Sequence, residues 1–252
     1  MAVSVKSHRE IELMREAGKI LGTVLNNLTK EIKPGMSTWH IDKMGEDMIR
    51  SFGCVPSFLG YGGYPASICV SINDEVVHGI PSKKRIVKEG DIVSLDAGVI
   101  YEGYQSDAAR TVGVGQISDE AAQLIEVTRQ SFFEGIKFAK EGCHLHEISN
   151  AIADYNEKHG YGVIRDLVGH GIGTKLHEDP EIPNFRQERR GIKLYEGMTL
   201  AIEPMVAMGD WKVRCLDDDW TMVTTDHSLT AHYENTVLVT KNGPEILSLV
   251  KE

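Results

Sequence analysis

Apolar residues in the first part of the chain recur at intervals of three and four. Between residues 9 and 31 they form one stripe that contains Ile11, Met14, Ala17, Ile20, Leu21, Val24, Leu25 and Leu28. This spacing predicts an amphipathic helix, because residues three and four apart share one face of an α-helix. A second helix is predicted from Ser37 or Thr38, either of which can cap its first turn, to Gly53.

The same order of elements returns in the second part of the chain. Ser118 opens a helical pattern over 118–140, and a shorter one runs from about 144 to 159, where Gly160 stops it. Each helix pair precedes short segments rich in Val, Ile, Leu and Thr, namely 67–72, 92–96, 108–114, 199–203 and 232–240. Helices followed by strands, twice over, predict an α+β fold with a largely antiparallel sheet and helices on one face.

Short identities at a constant interval link these two parts. The matches lie 107 residues apart: Lys33-x-Gly35 with Lys140-x-Gly142, Ile41 with Ile148, Gly53 with Gly160, and Glu89-Gly90 with Glu196-Gly197. The interval is too long for a solenoid repeat. We therefore predict a single catalytic domain over 1–252 whose similar halves, 1–112 and 113–252, face each other.

Composition narrows the class of protein. A formal net charge of −10 argues against a broad nucleic-acid surface, and the basic cluster Lys83-Lys84-Arg85 with Lys88 is interpreted as a solvated loop rather than an RNA contact. The chain has no apolar run typical of a signal peptide or a membrane span. The four cysteines are scattered without a CxxC pair, which favours reduced thiols and a cytoplasmic protein.

The 107-residue interval also superimposes two carboxylates. Asp96 ends Gly-Asp-Ile-Val-Ser-Leu-Asp, and Glu203 ends Gly-Met-Thr-Leu-Ala-Ile-Glu. A charge at the end of an apolar strand is costly to bury unless it is paired or bound to a metal. A single such residue would be an ordinary surface strand end, but two at equivalent positions predict a site between the halves.

Each of these carboxylates has a second one downstream. A hairpin centred on Tyr101-Glu102 would place Asp107 opposite Asp96, with Cβ atoms about 5 Å apart, and a bulge at Gly98 is the alternative that absorbs a one-residue slip. Glu234 likewise follows Glu203. Four converging carboxylates repel one another at low dielectric, so we expect two divalent cations about 3.5–4 Å apart among them.

Histidines supply the nitrogen donors of the predicted site. His170 lies between glycines in Val-Gly-His-Gly-Ile-Gly and becomes a plausible ligand beside four carboxylates. His177 follows seven residues later, and His78 lies in Val-Val-His-Gly-Ile-Pro. The other histidines are interpreted as structural or surface residues: His8, His40, His144, His146, His159, His227 and His232.

The ordered set Asp96, Asp107, His170, Glu203 and Glu234 resembles the metal site of the methionine aminopeptidases. The matching contexts are Leu-Asp-Ala-Gly, Ser-Asp-Ala-Ala-Arg, Gly-His-Gly-Ile-Gly, Ile-Glu-Pro-Met and His-Tyr-Glu-Asn-Thr. The resemblance extends from Arg9 to the last strand and implies the pita-bread fold, in which two pseudo-symmetric halves form a curved, largely antiparallel sheet covered by helices. The compact length resembles the bacterial type I branch.

The resemblance implies an enzyme that removes the initiator methionine from nascent proteins when the second residue is small. Asp96 would chelate one metal, Asp107 and Glu234 would bridge both, and His170 and Glu203 would complete the other site. Glu203 would also carry the proton in catalysis. His78 and His177 would hydrogen-bond the substrate amide and the developing oxyanion. The metals could be cobalt, manganese, iron, zinc or nickel.

Further residues carry implied binding roles. Tyr61, Tyr64, Cys69 and Trp220 match the pocket for the methionine side chain, where Phe58 replaces a common cysteine and Leu176 a common phenylalanine. Asn73, Glu75 and Thr230 match a site for sodium or potassium. The implied partners are N-termini of nascent polypeptides at the ribosome, with the enzyme a monomer and without membrane or specific nucleic-acid binding. Met1-Ala2 would make the chain its own substrate.

Two alternatives stay open at this stage. An Xaa-Pro peptidase of the prolidase or aminopeptidase P type shares the implied fold, but such enzymes usually carry an additional N-terminal domain for which we expect no room here. A non-catalytic pita-bread binding module is the other alternative. It would be expected to lose metal ligands, whereas all five are present.

Overall fold

The computed structural model of the protein describes residues 3–250, so the expectation for Met1 lies outside the described residues. The helices are α1 (His8–Glu31), α2 (Thr38–Ser51), α3 (Asp119–Ile136) and α4 (Leu145–Lys158). The strands are β1 (Val55–Pro56), β2 (Ile68–Ile72), β3 (Glu75–Val77), β4 (Ile92–Tyr101), β5 (Tyr104–Gly113), β6 (Gly162–Val163), β7 (Gly169–Gly171), β8 (Glu178–Ile182), β9 (Thr199–Ile202), β10 (Met205–Ala207), β11 (Val213–Cys215), β12 (Met222–Thr224), β13 (Thr230–His232), β14 (Asn235–Thr240) and β15 (Gly243–Ile246). Tyr61–Gly63 forms a short 3-10 turn.

The helices follow the hydrophobic pattern and its caps. The stripe predicted for α1 is buried from Met14 to Leu28, and Ser7 forms a capping box with Glu10. Ser37 caps α2 and Ser118 caps α3 through side-chain oxygens that accept backbone N–H groups. The third helix ends at Ile136 instead of residue 140, because the next residues form tighter turns, with Phe138 N bonded to Gly135 O, before Glu141 N bonds to Thr240 O.

The strands form four antiparallel sheets rather than one continuous sheet. The first contains β1, β4, β2 and β5, and its helix side is covered by α1 and α2. The second contains β15, β14, β9, β7 and β8, with α3 and α4 packed on it. Two three-stranded sheets, β11-β12-β3 and β13-β10-β6, complete the fold. Mixed helices and antiparallel strands confirm the α+β prediction.

Equivalent elements in the two halves keep the predicted interval. The second helix begins at Thr38 in one half and at Leu145 in the other, and the long strand begins at Ile92 and at Thr199, each pair being 107 residues apart. This spacing agrees with the repeat that divides the chain into 1–112 and 113–252. The division itself stays a prediction. No helix within residues 3–250 has both the length and the apolar character to cross a membrane.

The predicted register of the β4–β5 hairpin is wrong. The turn is at Glu102-Gly103, so Asp96 pairs with Ala109, and Asp107 pairs with Gly98. Gly98 is not a bulge, since the ladder is continuous through it. A Cβ atom at Gly98 would lie 2.7 Å from the Ser57 Cβ atom, so glycine is required there by the close approach of another segment.

Candidate active site

Five metal-ligand candidates from five segments line one cavity of about 120 Å³. Asp96 lies on β4, Asp107 on β5 and His170 on β7. Glu203 directly follows β9, and Glu234 directly precedes β14. The cavity therefore lies where the two halves of the chain meet, as the pairing of Asp96 with Glu203 in the sequence predicts.

Backbone bonds between the halves bring the carboxylates together. Glu234 N donates to Ala109 O at 3.0 Å, and Ala109 N donates to Glu234 O at 3.3 Å. Ala109 on β5 is also the ladder partner of Asp96 on β4. Asp96 and Glu234 therefore flank Ala109, one on each side of β5. The bonds to Ala109 interrupt the predicted strand 232–240, which divides into β13 and β14 at this point.

Asp96 and Asp107 share a face of the first sheet in spite of the corrected register. Asp107 lies opposite Gly98, two positions along β4 from Asp96, and alternate residues of a strand point to the same side. The two side chains are therefore diagonal neighbours, a separation that long side chains can bridge. The Thr236 hydroxyl fixes this part of β5, because it accepts the Asp107 N–H at 2.9 Å and donates to the Asp107 carbonyl at 2.9 Å.

The local backbone selects the nitrogen that His170 presents to the carboxylates. Its Nδ1 lies 2.8 Å from Gly171 O, so Nδ1 carries the proton and the Nε2 lone pair is free. The flanking glycines allow this close packing: a Cβ atom at Gly169 would lie 2.5 Å from Ala201 O, and one at Gly171 would overlap Asp179 O. Burial lowers the His170 pKa to about 3, so the ring is neutral.

Burial governs the titration of the four carboxylates. Loss of hydration raises the pKa of Asp96 to about 7, with the charge of Glu203 adding to the shift. The pKa values of Asp107, Glu203 and Glu234 rise well above their ordinary range, again mainly because burial penalises the charged form. The protein alone therefore cannot hold four negative charges here at neutral pH.

The donor atoms fit divalent cations. Asp96 Oδ1, Asp107 Oδ1 and Glu234 Oε1 are buried without a hydrogen-bond partner within residues 3–250. His170 Nε2 lies 3.8 Å from Asp107 Oδ2 and 3.7 Å from Glu203 Oε1. These separations exceed a hydrogen bond but match two ligands of one ion, since ligands about 2.0–2.2 Å from a metal lie about 3–4 Å from each other.

His232 also lies in this cluster, although the sequence interpretation assigned it to the structural or surface histidines. The residue is 1% exposed, and its Nε2 lies 3.6 Å from Glu203 Oε2 and 3.8 Å from Glu234 Oε2. Its burial excludes the surface interpretation of His232 and agrees with the structural one. The spacing His232-x-Glu234 was the available signal, because alternate residues of an extended segment share a face.

The remaining wall of the cavity is aromatic and aliphatic. Tyr64 packs edge-on against Trp220 with ring centroids 5.1 Å apart, and the Tyr64 hydroxyl donates to Gly79 O at 3.0 Å. All six residues expected to hold the substrate side chain line the cavity: Phe58, Tyr61, Tyr64, Cys69, Leu176 and Trp220. Burial raises the Cys69 pKa well above its ordinary value, so the thiol acts here as a small neutral apolar group.

Two further histidines face the same cavity. His177 Nδ1 lies 2.7 Å from the Tyr61 hydroxyl, and its ring is edge-on to His170 at 4.2 Å. His78 has a left-handed backbone with φ of 60°, which non-glycine residues seldom adopt outside sites that require it. Burial lowers the His78 pKa to about 4, so this ring is a neutral hydrogen-bonding group.

The three residues expected to bind a monovalent cation come together as a separate group. Thr230 Oγ1 lies 3.2 Å from Asn73 O and 3.0 Å from Glu75 O. The Thr230 hydroxyl has one proton, so it can donate a hydrogen bond to only one of these two carbonyl oxygens at a time. Converging carbonyl oxygens of this kind are the ligands that sodium and potassium accept, so the assignment stays a prediction with a suitable geometry.

The raised carboxylate pKa values predict proton release when metal binds. Asp96, with a pKa of about 7, is partly protonated in the metal-free protein at pH 7, and the raised pKa of Asp107 also favours its protonated form, whereas metal binding requires charged carboxylates. We expect about one or more protons released per metal, and affinity that rises with pH between 6 and 8. Calorimetry in buffers of different ionisation enthalpy measures the release; no buffer dependence would contradict the prediction.

A family model, a sequence relative and a solved structure all relate this chain to one family of metallopeptidases. A model of metallopeptidase family M24 matches residues 12–241. The methionine aminopeptidase of Clostridium acetobutylicum is 57% identical over 247 residues, which make up 98% of this chain and 99% of that relative. The crystal structure of a methionine aminopeptidase from Thermotoga maritima is similar with a TM-score of 0.97 at 45% identity, covering 99% of this chain and 100% of that one.

A more distant similarity bears on the alternative function. An Xaa-Pro dipeptidase from Bacillus anthracis has a TM-score of 0.80 at 26% identity. The match covers 98% of this chain but 62% of that protein, so the dipeptidase contains a large part with no counterpart here.

Proposed function

Because the chain belongs to metallopeptidase family M24, we propose that it is a methionine aminopeptidase that uses two divalent metal ions to release the N-terminal methionine of polypeptides. The observation that carries this proposal is a single small cavity in which five metal-ligand candidates face six apolar and aromatic residues. Similarity to the Thermotoga enzyme over the whole chain also identifies the α+β architecture as the pita-bread fold.

The proposed ligand roles are those implied by the resemblance to the methionine aminopeptidases. Asp96 would hold one ion, His170 and Glu203 would hold the other, and Asp107 and Glu234 would be shared by both. The chemistry that bound ions would supply at these residues is polarisation of the scissile carbonyl and acidification of the attacking water. Cobalt, manganese, iron, zinc and nickel all accept this oxygen and nitrogen donor set.

The chain itself supplies the proton transfer and the hydrogen bonds. We assign Glu203 to accept the proton of the attacking water and deliver it to the leaving amine, because its carboxylate lies in the cavity with a strongly raised pKa. His78 and His177 lie on the same cavity and are assigned to the substrate amide and the developing oxyanion. The Tyr61 hydroxyl orients His177 through their 2.7 Å contact.

The apolar wall selects the substrate side chain. An unbranched thioether is flexible enough to fit between Tyr64, Trp220 and the Cys69 thiol, and its burial there excludes water from the reacting carbonyl. Phe58 and Leu176, which depart from the common residues of the family, form part of this wall. They change the shape of the pocket and leave the ligand set unaltered.

Selectivity at the second residue is the first test of the proposed function. Gly, Ala, Ser, Thr, Cys, Val and Pro should be accepted after methionine, whereas Leu, Lys, Glu and Phe must overlap the walls formed by the His78 and His177 loops. An overlap of about 1–3 kcal/mol predicts kcat/KM about 5–150-fold lower for Met-Lys-Ser than for Met-Ala-Ser. Comparing both tripeptides with an Xaa-Pro dipeptide also tests the alternative function.

The alternatives make different predictions in the same assay. An Xaa-Pro peptidase would cleave the dipeptide and leave Met-Ala-Ser intact. Equal cleavage of Met-Ala-Ser and Met-Lys-Ser would contradict the steric account. A non-catalytic module would cleave none of the three, and the complete ligand set argues against it.

The cellular setting is inferred from the chemistry of the substrate. N-terminal methionine is carried by newly made polypeptides, so we propose that the enzyme acts on nascent chains at the ribosome, in the cytoplasm and as a monomer. Sodium or potassium at Asn73, Glu75 and Thr230 would tie β3 to β13 beside the active site. Sedimentation of the purified protein alone and with ribosomes tests the partner and the monomeric state together.

A further inference from the structure

The His232 imidazole lies close to Glu203 and Glu234 but makes no hydrogen bond within the described residues 3–250. It is 1% exposed, and neither Nδ1 nor Nε2 has a partner within residues 3–250. Burying an imidazole without satisfying its polar atoms is unfavourable, so a buried histidine is normally paired. The arrangement indicates that His232 binds something other than a neighbouring side chain.

The distances around His232 repeat those around His170. His170 Nε2 lies 3.7 and 3.8 Å from two carboxylate oxygens, and His232 Nε2 lies 3.6 and 3.8 Å from two others. Glu203 lies between the two rings, with Oε1 toward His170 and Oε2 toward His232. All these contacts are too long for hydrogen bonds and suitable for ligands of a shared cation.

Ligand atoms of Glu203, His232 and Glu234 form a group within 4.8 Å of one another, comparable with the group of Asp107, His170 and Glu234. A nitrogen ligand must present its lone pair, which places the His232 proton on Nδ1. His232 also lines a second cavity of about 140 Å³, together with Arg110 and Thr111. This cavity has room for a water molecule that could accept a hydrogen bond from the Nδ1–H group.

We propose that His232 Nε2 is a further ligand of the metal centre and binds an ion shared with Glu203 and Glu234. The inference rests on the proposed two-metal function and adds a second imidazole to its five ligands. A second imidazole favours metals that prefer nitrogen, such as zinc, cobalt and nickel, over manganese. Selectivity among metals is therefore a property that this residue controls.

Pulsed electron paramagnetic resonance of the manganese-loaded protein, with histidine labelled by ¹⁵N, counts the coordinated imidazoles directly. We expect two in the wild type, one in His232→Ala, one in His170→Ala and two in the matched control His227→Ala, whose exposed ring pairs with Asp74. His232→Gln, which keeps most of the volume, should also show one. A crystal structure with cobalt should place His232 Nε2 about 2.0–2.3 Å from the ion.

Affinity gives a second readout. His232→Ala should weaken cobalt binding by at least tenfold, and manganese binding by less. One coordinated imidazole in the wild type, unchanged in His232→Ala, would overturn the inference and leave the proposed function intact. Failure of the wild type to bind any divalent metal would overturn both, so the two failures are distinguishable.

Discussion

Replacing Asp96 or Glu234 by alanine should remove bound metal and peptide hydrolysis together. Both carboxylates are buried, at 9% and 2% exposure, and each has an oxygen atom without a hydrogen-bond partner within residues 3–250. A bound cation would stabilise the charged forms of these buried carboxylates, and the carboxylates would in turn hold the cation as its ligands. Because a metal ion contributes several kcal/mol to transition-state stabilisation, kcat/KM for Met-Ala-Ser should fall by at least about 10³-fold.

Metal content by elemental analysis, measured on the samples used for kinetics, checks this prediction. Asp47→Ala is the matched control, since Asp47 is an exposed carboxylate on α2. It should keep metal and activity at wild-type levels. The variants should remain folded, because alanine removes a buried charge that the metal-free protein must otherwise protonate. An Asp96→Ala protein that retains full metal and full turnover would show that Asp96 is not a ligand.

Replacing His78 by alanine should leave the metals bound and lower kcat. His78 lines the cavity as a neutral ring, and we assign it to the substrate rather than to metal. Loss of one hydrogen bond to the transition state costs about 10²–10³-fold in kcat. His78→Asn is the informative companion variant, because asparagine tolerates the left-handed backbone and retains a donor. It should recover part of the lost rate.

Metal content again separates the possible roles of His78. His40→Ala, which removes an exposed histidine in the first turn of α2, should change neither metal content nor rate. Release of metal from His78→Ala as readily as from Asp96→Ala would contradict the assignment of His78 to the substrate. Loss of rate in His78→Ala with no recovery in His78→Asn would point to the ring itself rather than to a hydrogen bond.

Local signals in the sequence predicted the four helices, five of the fifteen strands described within residues 3–250, and most of the residues that line the cavity. Apolar spacing and capping serines define the helices to within a few residues, because both act within one or two turns. The repeated apolar strand ending in a carboxylate identified Asp96 and Glu203 as neighbours across the two halves. The helix bounds depend on residues close in sequence, and the pairing of Asp96 with Glu203 depends on the internal repeat. Both kinds of signal are visible in the sequence alone.

Features that depend on packing between distant segments could not be read in this way. The β4–β5 register depends on the turn at Glu102-Gly103, and Gly98 depends on the approach of Ser57. The path of the chain after α3 depends on a remote backbone bond, from Glu141 N to Thr240 O. His232 looked ordinary because its significance depends on two glutamates, one of them 29 residues away, reaching the same point.

The central claim is that this cavity hydrolyses methionyl peptides by means of divalent metal. The most direct measurement follows Met-Ala-Ser hydrolysis while chelator-treated protein, shown by elemental analysis to be metal-free, is titrated with cobalt or manganese. The account predicts no turnover before the titration and recovery that reaches a plateau as the buried carboxylates are filled. Full hydrolysis of Met-Ala-Ser by demonstrably metal-free protein would contradict it.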